Sequence, residues 1–134
     1  MAILTGYDLL VTCLALNIYH ESSVEPLICN IAVAQVTLNR AKNGDVCKAV
    51  FAPKQFSWAN NAMDYRGVLL KQYHPDRKSK AWKRAQMVAR KTMSGELKSP
   101  MRDATHYHKL DMPKYPKWNV DVVGVCGKHI FYKE

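Results

Sequence analysis

The chain has 134 residues, 48% of them hydrophobic, with six prolines and six glycines, so it can bury an ordinary core and is not dominated by disorder. With no long linker or low-complexity run, it is expected to form one globular domain over 1–134. Twenty Lys and Arg against eleven Asp and Glu leave a net charge of +9, which narrows the partner class to polyanions such as nucleic acid, anionic lipid or an acidic envelope polymer.

In chain order, Thr5-Gly6-Tyr7-Asp8 sets a threonine cap before an acid three residues on, a helix start. Leu10, Cys13, Leu14 and Ile18 then make a core-facing stripe, widened by Leu9 and Leu16. Glu21 falls three residues after Ile18 and seven after Leu14, so a helix reaching that far carries it on the buried stripe. Poor hydration there favours the protonated form and makes Glu21 a candidate general acid. Pro26 fits the first position of a second helix and keeps Glu25 out of α geometry, which puts Glu25 at or beside the N-cap. Unpaired amides and the helix dipole favour its ionised form. Two glutamates four residues apart, pushed in opposite directions, fit acid chemistry on a glycosidic bond. The structural alternative is a capping box, Ser22-x-x-Glu25, with Glu21 directed into water.

The second helix, over 26–41, aligns Leu27, Ile31, Ala34 and Leu38, with Ile28, Val33 and Val36 around them, apolar enough for a central helix. Gln35 and Asn39 share a face at four-residue spacing, within reach of each other, of the loop beyond or of a ligand. Gly44 is the terminator, and 45–51 form a short helical turn closed by Pro53. Gln55-Phe56-Ser57-Trp58 is expected to be extended, with Phe56 and Trp58 facing one way and Gln55 and Ser57 the other. Asn, Gly and Pro residues within 59–75 favour loops and short turns. A helix from Ser79 buries Trp82, Ala85, Val88, Ala89 and Met93 and ends at Gly95, while much of the basic excess in 71–91 covers its other faces. In 104–108 the pattern alternates, with Thr105 and Tyr107 opposite His106 and His108. Residues 120–125 and 129–133 read as a hairpin turning at Cys126-Gly127-Lys128. Helices first and a small antiparallel sheet later give an α+β class with the cleft between the two parts.

The four cysteines form no C-x-x-C pair, and Cys13 and Cys29 fall inside apolar helical patterns, so reduced thiols in a reducing cytosol are the expectation. No Lys or Arg precedes Arg40, and Asp8, Asn17 and His20 break the first apolar run, unlike a signal peptide or a membrane span. Two histidines two residues apart on a strand can share a metal, but no third ligand falls at a telling spacing.

The words LALNIYHESSVEP, IAVAQVTLNR, QFSW, ATHYH and GKHIFYK, in that order and spacing, resemble the cell wall hydrolase family that includes the spore-cortex-lytic enzymes. The resemblance covers nearly the whole chain and implies a lysozyme-like catalytic domain that cuts peptidoglycan between N-acetylmuramic acid and N-acetylglucosamine. The family's G-E-A-R-G-E-P motif meets His20-Glu21-Ser22-Ser23-Val24-Glu25-Pro26, which places its catalytic glutamate on Glu21 and leaves the joint rebuilt around both carboxylates. A lytic transglycosylase needs one glutamate and no metal or cofactor. A muramidase needs a second carboxylate, for which Glu25 is the candidate and Asp64 a distant second. Gln55, Ser57, Trp58, Thr105, His106 and Tyr107 are expected to contact sugar, each with a packing role as the alternative.

The implied setting is a monomeric bacteriophage endolysin, made in the host cytoplasm and released through a holin-type pore, whose positive surface approaches an anionic envelope. The rival from another class is a nucleic-acid-binding module built on the basic 71–91 face. A metal-dependent nuclease built on His106 and His108 is a third reading.

Overall fold

The structure, a computed structural model, describes residues 6–52 and 55–134. The cap at Thr5 and the stop at Pro53 lie outside them. Four helices come first, α1 (Gly6–Ser22), α2 (Leu27–Arg40), α3 (Val46–Phe51) and α4 (Lys80–Met93); three strands follow, β1 (His106–Lys109), β2 (Asp121–Cys126) and β3 (His129–Lys133). This is the α+β order that the change of period from helical to alternating implied.

The α1 helix buries more than a single stripe, with Val11 and every residue from Cys13 to Ile18 inside, because α2, α3 and α4 all pack on it; Leu9, expected to widen that stripe, is exposed instead. The polar side chain of Asn17 comes in with the helix and is satisfied there at both its nitrogen and its oxygen. Asn17 Nδ2 donates to Thr37 Oγ1 at 3.0 Å, and Trp58 Nε1 donates to Asn17 Oδ1 at 2.8 Å. The α2 helix is central, as its composition implied: Ile31 and Ala34 join the α1–α4 core, while Ala32, Val33 and Val36 meet Phe131 and Ala104 beneath the sheet. Its first turn is the exception, since Leu27 and Ile28 are exposed. Gln35 Nε2 donates to Asn39 Oδ1 at 3.0 Å, and Asn39 Nδ2 reaches the carbonyls of Arg102 and Ala104, which anchors the start of the sheet. Ser79 caps α4 by accepting from the Trp82 amide at 3.1 Å. Trp82, Ala85, Val88 and Ala89 fill the core as expected, with Thr92 rather than Met93 completing the buried side.

The sheet is antiparallel with strand order β1-β3-β2, so β1 is an edge strand. The β2–β3 turn is the two-residue Gly127-Lys128, and Gly127 has φ +56°, the left-handed geometry that a tight hairpin requires.

Two expectations are corrected. The cysteines are not free: Cys13 pairs with Cys47 and Cys29 with Cys126. Their helical periods aim them at the interior, but the partner that meets each one comes from another element, at Cα separations of 5.2 and 5.5 Å, within disulfide reach. The first bond joins α1 to α3, and the second joins the start of α2 to the end of β2. Residues 55–58 are also not an extended run, because Ser57–Asn61 form a 3₁₀ turn after an extended Phe56. Trp58 therefore leaves the side that Phe56 occupies and stacks on His20, with ring centroids 4.3 Å apart.

Closing a link across a sequence separation of 97 residues removes much unfolded-chain entropy, so Cys126→Ser should lower unfolding free energy by about 2–4 kcal/mol. Chemical denaturation with and without reductant checks this. A wild-type midpoint that reductant leaves unmoved would contradict the pairing.

Candidate active site

The joint between α1 and α2 is held from three sides. Ser22 ends α1, with its Oγ donating to the Ile18 carbonyl at 3.1 Å. Asn30 Nδ2 then donates to the Ser22 carbonyl and hydroxyl at 2.6 and 2.9 Å. Arg84, from α4, donates to the carbonyls of Ser23 and Glu25 at 3.0 Å each. One member of the basic run is thus a half-buried strut rather than a solvated charge, and the remodelled His20–Pro26 sequence keeps a fixed shape.

Glu25 precedes Pro26, the N-cap of α2, but no side chain caps that helix, so the capping-box alternative does not hold. Its carboxylate turns to the sheet instead. Oε1 accepts from the Lys128 amide at 2.7 Å, and His129 Nδ1 lies 3.0 Å from both carboxylate oxygens and bonds Oε1. Glu25 is only 5% exposed and does not line the cleft described next. The donors that hold it belong to the hairpin, not to the N-terminus of α2. A Cβ on Gly127 would stand 2.5 Å from Glu25 Oε1, so the turn closes on the carboxylate only because that residue has no side chain.

A cleft of about 550 Å³ opens between the end of α1, residues 55–60 and the edge strand β1. Glu21 is the acidic residue lining it, in the last turn of α1. Burial pushes the Glu21 carboxyl up to about 7; the Lys109 ammonium and the neighbouring Tyr107 hydroxyl pull the other way, and Glu25 adds a smaller push upward. The negative end of the α1 dipole acts in the same direction as burial. The Tyr107 hydroxyl lies beside Glu21 and Asn17 yet closes no hydrogen bond of ordinary geometry with either. It is a buried donor beside the acid, and burial drives its own ionisation well above the usual phenol range.

Of the residues expected to contact sugar, Gln55, Ser57, His106 and Tyr107 line the cleft. Trp58 and Thr105 do not: Trp58 is held by His20 and Asn17, and Thr105 Oγ1 bonds His106 Nδ1 at 2.9 Å. The alternation on β1 holds. Tyr107 packs on Phe56, His129 and Phe131, while His106 and His108 both face Trp118. Because β1 is an edge strand, the cleft wraps it and touches both sides. The hydrogen-bond network makes His108 Nδ1 a donor to the Lys109 carbonyl and Nε2 an acceptor from the Tyr132 hydroxyl, at 2.9 and 2.7 Å. Both nitrogens of that ring are therefore engaged, against a metal shared with His106. Among the described residues no group of three metal-type ligands converges.

Sequence reasoning missed Arg40, Lys109, Trp118 and His129. Trp118, 40% exposed, is the aromatic face that the cleft offers, a part assigned from the sequence to Trp58. Its signal was weak, since it ends a proline-bearing loop without periodicity. His129 lines the cleft with a buried Nε2 that has no hydrogen-bond partner among the described residues, and only its step after the turn marked it.

Two expected outcomes follow from the contrast between the glutamates. Glu25→Ala would strand the Lys128 amide and the buried His129, and should cost about 2–4 kcal/mol of unfolding free energy in denaturant titrations. Glu21→Gln should do the reverse, and only at high pH. The folded-state value near 7 lies above the ordinary 4.5, so below the ordinary value both states are protonated and the substitution changes little. As pH rises from 4.5 to about 7 the wild type loses stability that the amide keeps, and above 7 the difference levels off on the order of 1–3 kcal/mol. Thermal melts from pH 4 to 9 check it; a gap between variant and wild type that does not widen with pH would contradict the burial of this acid.

The family model for cell wall hydrolases matches residues 24–132, beginning three residues after Glu21. No curated protein matches the chain. Among solved structures, the catalytic domain of the germination-specific lytic transglycosylase SleB from Bacillus anthracis is similar at a TM-score of 0.70 and 25% identity, over 98% of this chain and 100% of that one. The catalytic domain of the Bacillus cereus SleB protein is similar at 0.67 and 26%, over 98% and 95%. With a match over most of its length and a fold shared with both catalytic domains, the chain belongs to the cell wall hydrolase family.

Proposed function

We propose that the protein cleaves the glycan strand of peptidoglycan between N-acetylmuramic acid and N-acetylglucosamine as a lytic transglycosylase, with Glu21 as both acid and base. The observation that carries this reading is that Glu21 is the acidic residue lining the cleft and holds its proton to about pH 7. Glu21 donates that proton to the glycosidic oxygen as the bond to C1 breaks. The carboxylate left behind takes the proton of the muramoyl C6 hydroxyl, whose oxygen bonds C1 and gives a 1,6-anhydro ring. The proton returns to Glu21 and no water is consumed.

The geometry favours this over the muramidase alternative, which needs a second carboxylate in the cleft. Glu25 faces the hairpin, and Asp64 is folded into its own loop on Arg66 at 2.7 Å; neither lines the cleft. Membership of the family and the likeness to a lytic transglycosylase domain support the substrate class. Trp118 and His106 on one wall and Gln55 and Ser57 on the other provide the aromatic face and hydrogen-bonding groups that sugars require. A bacteriophage endolysin is the setting we favour. The net charge of +9 suits an anionic envelope, and two disulfides suit the oxidising compartment in which the wall lies.

Glu21→Gln should fold normally yet lower the lysis of purified sacculi by at least about a thousandfold. Activity of the wild type should fall as pH rises through about 7, where the acid loses its proton. Mass spectrometry of the released muropeptides decides the reaction: anhydromuramic ends are expected, reducing muramic ends would mean hydrolysis, and intact glycan with cut stems would overturn both.

A further inference from the structure

The cleft does not end at Arg40. A second groove of about 430 Å³ continues from it, and Arg40 and Gln55 line both. The groove is built on the turn from α2 to α3, where Asn43 and Gly44 take consecutive left-handed conformations, φ 58° and 73°, and reverse the chain sharply. That reversal brings Lys42 and Lys48 round to face the same hollow as Arg40. Asp45 is the acidic residue in it, and its carboxylate already accepts from the Lys48 amide at 3.2 Å. Among the described residues, three cations against one carboxylate leave the groove positive.

Arg40 is the fixed part. Its guanidinium lies 5.5 Å from the centre of the buried Phe56 ring and is half withdrawn from water. Among the described residues none of Arg40, Lys42 and Lys48 has a carboxylate within ion-pair distance. A planar, partly desolvated guanidinium held by an aromatic face, with the Glu134 carboxylate near it but beyond ion-pair distance, keeps its fork open to a carboxylate from outside. A ligand here can belong to the same molecule that fills the neighbouring cleft, because the two hollows share a wall.

Resting on the proposed glycan cleavage, we propose that this groove binds the peptide stem carried by the muramoyl residue, with Arg40, Lys42 and Lys48 receiving its carboxylates. A sugar strand whose lactyl carboxyls are taken up in the amide to the stem offers no charge of its own to these cations, whereas the lactyl-linked peptide leaves the strand sideways and carries free carboxylates. The groove then selects strands that bear stems and fixes the register of the bond over Glu21.

The test compares one batch of sacculi, cleared of phosphate polymers, in three forms: stems intact, stem carboxylates amidated, and stems removed by an N-acetylmuramoyl-L-alanine amidase with the lactyl carboxylates so exposed then capped as amides. The charge-reversed variant Lys42→Glu/Lys48→Glu alters two exposed side chains and is expected to fold; a melting temperature equal to that of the wild type checks this. On intact stems its kcat/KM should fall about tenfold, carried by KM. On the amidated and stripped strands it should match the wild type within about twofold. Equal losses on all three forms would mean a charge acting on the envelope at large and would overturn the stem assignment, as would no loss on any. A wild type that releases no glycan fragment from any form would sink the glycan-cleaving reading itself, and the groove's assignment with it.

Discussion

A buried carboxylate must be paired, and in this molecule that need fastens the helical half to the sheet. Glu25 is withdrawn from water at the start of α2, and its partners, the Lys128 amide and His129, lie more than a hundred residues later. If the hairpin moved away it would leave a charge in a poorly solvating site, a cost of several kcal/mol. The sheet is therefore held where β1 presents Tyr107 and Lys109 to Glu21. The Cys29–Cys126 bond reinforces the same corner covalently, and Arg84 fixes the backbone between the two glutamates from the third side.

The two glutamates show how position alone divides labour between identical side chains. Glu25 takes an amide and an imidazole and contributes to holding the fold. Glu21, one helical turn earlier, meets the negative end of its own helix, a buried phenol and a cleft too narrow for full hydration. Its carboxyl is destabilised as an anion, and that is the property an acid catalyst needs near neutral pH. The fold carries the strain of one glutamate on the pairing of the other, a trade between stability and activity confined to five residues.

What could be read from the sequence was local. The stripes of α1, α2 and α4, the Ser79 cap, the Gln35–Asn39 bond and the Gly127-Lys128 turn each follow from spacing within a few residues. The burial of Glu21 was legible for the same reason, since it continues a period set by Leu14 and Ile18. Pairings across the chain were not. Cys29 with Cys126, Arg84 with the Ser23 and Glu25 carbonyls, and Glu25 with His129 all join segments whose approach no local period encodes. Trp58 went astray differently: one residue past an extended Phe56 the chain turns into a 3₁₀ coil, and the alternation that would have aimed Trp58 into the cleft ends there. Trp118 takes its place from a loop whose path only the packing of His106, His108 and Tyr132 determines.

The groups opposing burial around Glu21 also have a use in the proposed reaction. Burial alone makes a carboxyl easy to keep protonated but leaves a costly anion once the proton has gone. Lys109 and the Tyr107 hydroxyl both favour that anion. They hold the value near 7 instead of letting burial carry it further, and they stabilise the carboxylate that forms as the glycosidic bond breaks. An anion stabilised too well would not reclaim a proton from a sugar hydroxyl; one stabilised too little would not release it to the leaving oxygen. A single residue serving both halves of the reaction therefore has to sit between these limits, and a partly buried glutamate facing one ammonium and one phenol does so without a second acid in the cleft.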